Sequence, residues 1–370
     1  MTRKLFNRRI LLINLFAAVI LVIVLYLLQR LLMPKYMSEI PEGALVSEYY
    51  KNKGDNDIIF IGDCEAYENI SPITIWENYG VPSYIIGSGQ QLIWQSYYML
   101  EEVLRYETPD VVVFNILAMQ YDKPQSEPYN RLNIDGMKLG VPKVKAALAS
   151  MMPEETLASY IFPLLRYHSR WQEVTKEDFE YLFKRDQKSH NGFLMRVDVK
   201  PVESIPQARA LADYQFGERS YEYLDKMRAL CEQNGIKLVL MKAPSLFPYW
   251  YPEWEAQIEE YASSNGLLYL NYLELADDIG LDFCEDTYDA GLHLNLSGAE
   301  KLSVHLGQVL QDEYNLSDRR GEKELSESWQ DKVQFYYDMK ASQYEDLEKY
   351  GYLKNFGGRA PQGSEASVEK

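Results

Sequence analysis

Residues 10–28, ILLINLFAAVILVIVLYLL, form an unbroken 19-residue apolar run in which only Asn14 is strongly polar. As a helix it would reach roughly 28 Å, close to the hydrocarbon thickness of a bilayer. Such a run leaves few choices: it spans a membrane or it is removed as a signal. The preceding segment, MTRKLFNRR, is basic and lacks acids, whereas Arg30 and Lys35 beyond the run are fewer. That asymmetry predicts a cytoplasmic N-terminus and an exported body. A cleaved signal peptide is the competing reading. It calls for a shorter apolar region and a small-x-small site. Here the run continues into YLLQRLLMPKYM, and no lipidation cysteine follows. The expectation is a single-pass anchor over 10–33, with residues 1–9 cytoplasmic and 34–54 a stalk.

The formal net charge is −17, and Arg3, Lys4, Arg8 and Arg9 all precede the apolar run, so the rest of the chain carries −21. A body this acidic has little with which to neutralise phosphates, which argues against nucleic-acid binding. With 30 Tyr and six Trp, the chain is rich in aromatics. That suits either a carbohydrate-facing surface or cores in which Tyr replaces Phe. The three cysteines, Cys64, Cys231 and Cys284, are too few and odd in number for a disulfide framework.

The body begins with apolar runs separated by helical periodicity. Ile58–Ile61, residues 82–87 (PSYIIG) and residues 110–116 (DVVVFNI) read as strands buried on both faces. Helices are expected at 72–79 and 91–107, the latter stopped by Pro109. This β-α-β-α-β order is the pattern of a doubly wound parallel sheet. Residues 120–215 break the alternation and read as an insertion, with a helical stretch near 142–150. The alternation resumes with helix 218–234, strand 236–244, helix 253–264, strand 267–272 and helix 297–312. The α/β domain is therefore placed at 55–314. An amphipathic helix carrying Trp329, Tyr336 and Tyr344 follows within 315–355, docking on the body or on a partner. Residues 356–370 read as a disordered tail.

Ligands of open parallel sheets lie at the carboxyl ends of strands. Those ends here carry Gly62-Asp63-Cys64, Gly87-Ser88-Gly89-Gln90 and Asn115, and His293 follows the last strand in GLHLNLSG. Of four histidines, His293 has the setting of a general base, where a loop leads into a helix; His305 lies mid-helix. Cys64 is open to three readings: a nucleophile, a small buried hydrophobe, or a partner of Cys284 in a disulfide. Cys231 belongs to a helix core. Asn115 could cap the next segment, and the glycines could be ordinary turns. Gln90, Gln91 and Gln95 line the cleft or, more simply, sit on solvated positions. Arg166, His168 and Arg170 in LLRYHSRW form a cationic cluster. It either binds anionic groups of a polymer or forms a satisfied surface. Nothing has metal-ligand spacing, and no P-loop or dinucleotide fingerprint is present, so no metal and no cofactor are expected.

In order and in position relative to the strands, IGDCEAYENISP, IIGSGQQL, VVVFNI and YDAGLHLNLSG resemble the SGNH/GDSL hydrolase superfamily over about residues 56–310. The resemblance implies a three-layer, flavodoxin-like SGNH fold. It places Cys64 as nucleophile, His293 as base and Asp289 as the acid that orients it. It makes the N–H groups of Cys64 and Gly89 and the Asn115 amide an oxyanion hole, with Asp63 and Gln90 beside the substrate. Two positions depart from the pattern: a cysteine replaces the serine, and Asp289 stands four residues before the histidine rather than three, so that Asp286 is an alternative acid. The anchor brings the chain closest in look to exported members of the teichoic-acid D-alanyl-transfer and alginate O-acetylation type. By that likeness the substrate is an acylated cell-envelope polysaccharide or polymer, and the partner a multi-spanning membrane acyltransferase. The same motifs with a lost nucleophile would instead make a scaffold.

Overall fold

The structure, a computed structural model, describes residues 2–34, 42–183, 187–205 and 207–354. In chain order its elements are α1 (Thr2–Leu32), α2 (Glu42–Asn52), β1 (Ile58–Gly62), α3 (Cys64–Tyr67), α4 (Pro72–Tyr79), β2 (Ser83–Gly87), α5 (Ile93–Val103) and β3 (Val111–Asn115). There follow α6 (Glu127–Ile134), α7 (Val141–Ser150), α8 (Leu157–Ile161), α9 (Leu164–Tyr167), α10 (Lys176–Phe183), α11 (Glu218–Gln233) and β4 (Lys237–Lys242). The chain ends with α12 (Pro252–Asn265), β5 (Leu268–Asn271), α13 (Leu296–Tyr314) and α14 (Lys323–Tyr350). The chain divides into two units, Met1–Lys35 with Glu154–Gln187, and Tyr36–Pro153 with Lys188–Lys370.

The larger unit is built on one sheet of order β2-β1-β3-β4-β5, parallel throughout. This is the flavodoxin-like order, in which the chain reverses direction between β1 and β3 and leaves a crevice at their carboxyl ends. The strands are short apolar runs because both faces are covered: all five residues of β1, β2 and β3 are buried. Phe60, Val113 and Val239 face a core filled by leucines of α13 and by Trp329 of α14. On the opposite face α5 and α11 pack against each other and onto β1 and β4. Alternation along each strand thus sends successive residues into two cores, making three layers.

Local sequence explains where the helices start. Ser71 accepts from the Thr74 N–H at 3.2 Å with Pro72 in the first turn, and Gly80 closes α4 in the left-handed conformation. Asn295 caps α13 by accepting from the Gly298 N–H.

Three expectations are corrected. The stalk placed at 34–54 contains α2, whose Leu45, Val46 and Tyr49 are buried. This apolar face packs on β2 and α6, so the segment belongs to the domain; residues 35–41 lie outside the described residues. The insertion at 120–215 is not one body. Its α6 and α7 pack on α2 and α5, while residues 154–187 join α1 in the smaller unit. Residues 190–193 return to cover the edge of β2, where the Ile85 N–H donates to the Asn191 carbonyl at 2.9 Å. Gly192 is required there: at φ +92° an added Cβ would lie 2.1 Å from the Ile85 oxygen. Gln91 and Gln95 are not solvated. Gln91 bonds Ser96 and Asn133, and Gln95 bonds Asn130, Ser150 and the Leu92 N–H, all buried. The tail at 356–370 lies outside the described residues.

Candidate active site

β1 ends at a glycine because nothing larger fits: a Cβ on Gly62 would stand 2.8 Å from Asn115 Cβ and 3.0 Å from Ala66 Cβ. Asp63 then turns the chain and caps α3, its Oδ1 accepting from the Glu65 N–H at 3.1 Å. This makes Cys64 the first residue of a short helix at the carboxyl end of the sheet. Its thiol is free and half-buried, and it interacts with the His293 side chain. Burial pushes the thiol up to about 12; the imidazole opposes this, while Asp63 and Glu68 add to it.

His293 comes from the loop before α13 and is 7% exposed. The loop is tight. Ala290 and Gly291 both have positive φ, and Asp289 Oδ1 accepts from the His293 N–H at 2.8 Å and from the Leu292 N–H at 3.2 Å. The second Asp289 oxygen lies 2.7 Å from His293 Nδ1. A four-residue spacing therefore reaches the ring because the intervening turn folds back over the carboxylate. Glu68 Oε2 also lies 3.3 Å from Nδ1, and Tyr288 stacks on the imidazole at 5.9 Å. Asn69, one residue after Glu68, accepts from the Leu294 N–H at 2.7 Å. The segment that carries the thiol thus also clamps the loop that carries the histidine. Burial alone would lower the affinity of His293 for a proton. Glu68, Cys64 and Asp289 outweigh it, and the net direction is well upward. With Nδ1 held by carboxylates, Nε2 is the nitrogen left for chemistry, and it is buried without a hydrogen-bond partner among the described residues.

Beneath Cys64 lies a buried polar layer that sequence reasoning missed. Lys242, at the end of β4, is fully buried and donates to Glu65 at 3.0 and 3.2 Å and to the Ala243 carbonyl at 2.7 Å. The Asn115 amide donates to Asp63 and to Glu65, both at 3.1 Å, and its oxygen accepts from the Ala243 N–H. Burial, aided by Glu65, pushes the Asp63 carboxyl up to about 7. Beyond Asp63 and Asn115, the signal for this layer in the sequence was Lys242, which follows the apolar residues 238–241 at the tip of β4.

These bonds correct two expected roles. Asn115 was to complete an oxyanion hole, but both its amide hydrogens are taken by carboxylates. Asp63 was placed beside the substrate, but it is 4% exposed and occupied by its cap and by Asn115. Among the described residues the N–H groups of Cys64 and Gly89 have no partner. Gly89 is buried in the turn after β2, and Gln90 beside it is exposed at φ +49°. Asp286, the alternative acid, accepts from Lys301 at 2.6 Å and from the Asp282 N–H instead of facing His293. Cys284 is exposed and free, so no disulfide holds Cys64; Cys231 is buried in α11. Arg166, His168 and Arg170 belong to the smaller unit, whereas Cys64 and His293 belong to the larger. Arg170 is occupied there, donating to the Leu32 and Met33 carbonyls and to Asp178. A groove of about 640 Å³ lined by Gly235, Lys237 and Leu268 opens at the amino ends of β4 and β5, away from this chemistry.

No family model matches the chain, and no curated protein sequence does. Among solved structures, one described as an acylhydrolase of Bacteroides fragilis is 12% identical, with a TM-score of 0.35, over 72% of this chain and 95% of that one. A GDSL-like lipase of Bacteroides thetaiotaomicron is likewise 12% identical, with a TM-score of 0.34, over 73% of this chain and 98% of that one. Likenesses of that order do not bear on chemistry, which rests on the side chains above.

Proposed function

We propose that this protein is an extracytoplasmic acyl-ester hydrolase or O-acyltransferase, tethered by α1 and acting on an acylated cell-envelope polysaccharide or polymer. The observation that carries this reading is the free Cys64 thiol interacting with His293, whose Nδ1 lies 2.7 Å from Asp289. In the proposed reaction Cys64 attacks the acyl carbonyl as His293 Nε2 takes its proton. The leaving alkoxide then receives that proton, and a thioester remains on Cys64. Water releases the acid, or an acceptor hydroxyl takes the acyl group. The developing oxyanion is met by the Cys64 and Gly89 N–H groups, one such donor being worth on the order of 3 kcal/mol. A multi-spanning membrane acyltransferase is the proposed source of acyl groups.

The test is to incubate the full chain with an activated acetyl ester and with O-acylated envelope polymer. Acid release and the Cys64 thioester, trapped by rapid acid quench and mass spectrometry, are followed in wild type, Cys64→Ala and His293→Ala. Wild-type turnover lost in both variants is expected. Turnover equal in wild type and Cys64→Ala sinks the reading.

The second reading, a non-catalytic scaffold of a cell-envelope assembly, is favoured by the occupied Asn115 amide and the raised thiol. Iodoacetamide separates the two. A catalytic Cys64 labels more slowly than exposed Cys284 but faster than buried Cys231, and His293→Ala slows it further. A Cys64 that labels no faster than Cys231 favours the scaffold.

A further inference from the structure

In the smaller unit, the large apolar side chains of α1 from Ile10 to Leu28 are exposed, and the helix is long and apolar enough to cross a membrane. From Gln29 onward the side chains become covered. What covers them is the segment 154–187, through α9, α10 and the 3₁₀ turn at His168–Glu173. Arg170 donates to the Leu32 and Met33 carbonyls at 3.0 and 3.2 Å, satisfying acceptors that the end of a helix leaves open. Arg30 donates back to the Leu182 carbonyl. The segment is therefore a collar fastened one turn beyond the last exposed apolar residue of α1.

That collar is apolar outward. Phe162, Leu165, Trp171, Phe179 and Phe183 are 60, 57, 66, 53 and 88% exposed. Phe179 and Phe183 are four apart on α10 and share a face. Five such side chains in 22 residues are costly in water and are of the type found where a bilayer meets solvent. Over 154–187 the sequence holds five basic and seven acidic residues, so no electrostatic attraction to anionic lipid is available.

We propose that the collar inserts these side chains into the interfacial layer of the bilayer around the outer end of α1, binding zwitterionic lipid through apolar burial. The proposal rests on α1 spanning the membrane. Trp171 provides the test, since the other five tryptophans are buried. The full chain is reconstituted into phosphatidylcholine vesicles brominated high on the acyl chains, and its emission is compared with that of Trp171→Phe. Quenching that disappears in the variant and is unchanged by high salt is expected; Phe179→Ser with Phe183→Ser should weaken it and shift the emission to the red. Alkaline carbonate extraction tests the anchor separately. Carbonate-resistant protein whose Trp171 is unquenched overturns the collar alone. Extractable, unquenched protein overturns both. Extractable protein that is quenched overturns the anchor and, with it, a collar placed around a spanning helix.

Discussion

His293 has two carboxylates against one ring nitrogen, and its pH behaviour follows from that. Glu68 and Asp289 both approach Nδ1, favouring the imidazolium and raising its pKa above the ordinary value of about 6.5. The neighbouring thiol is itself raised to about 12. Both shifts favour the protonated forms, and a proton must leave the pair before either group can act. That loss belongs to the pair rather than to one residue. Acyl-ester turnover should accordingly rise with pH along a limb lying above 6.5. Removing a carboxylate lowers proton affinity, so Glu68→Gln should shift the limb to lower pH, as a kcat/KM profile will show. Asp289→Asn should shift it likewise and also cost on the order of 10⁴-fold in rate, because the ring loses its orientation. A limb unmoved in both variants contradicts the electrostatic account. Below the thiol, Lys242→Met strands the Glu65 carboxylate, which should destabilise the domain by about 3–5 kcal/mol in urea denaturation. Adding Glu65→Gln should recover much of the loss, because the uncompensated charge is then gone.

α14 behaves as a strap across one face of the sheet. Trp329 stacks on Trp76 with ring centres 4.7 Å apart, and the Gln343 amide closes a pair of backbone bonds, accepting from the Val197 N–H and donating to the Met195 carbonyl. Gln343→Ala leaves both backbone groups buried without partners. The expected cost is about 1–3 kcal/mol for each, read as a lower urea midpoint with an unchanged slope. An unchanged midpoint would mean the strap is not coupled to the body. The strands and most helices were legible because burial on both faces writes a continuous apolar run, and packing on one face writes a 3.6-residue period. α14 was legible as amphipathic for the same reason, but its choice between body and partner was not. That choice depends on Trp76, some 250 residues away. The same limit hid the layer of Glu65, Asn115 and Lys242: their pairing exists only once β1, β3 and β4 align. Arg170 shows the converse. Charge density in a sequence does not reveal that an arginine is occupied by helix-end carbonyls.

At the scale of the whole chain the dominant property is its negative field. Net charge is −17, and four of the positive charges precede the apolar run. The proposed envelope substrates include polyanions, and a polymer of the same sign is repelled during approach. Screening relieves that repulsion over distances of about 10 Å at 0.1 M salt. For a polyanionic acylated substrate, kcat/KM should therefore increase as ionic strength rises, with kcat nearly constant, because the repulsion acts on encounter and not on the bound complex. An uncharged acetyl ester read alongside should show no such dependence. The two slopes together locate the effect: a rise for both substrates means salt is acting on the site itself, through the carboxylates around His293. A fall for the polymer alone means that a local cationic surface, rather than the net field, governs its approach.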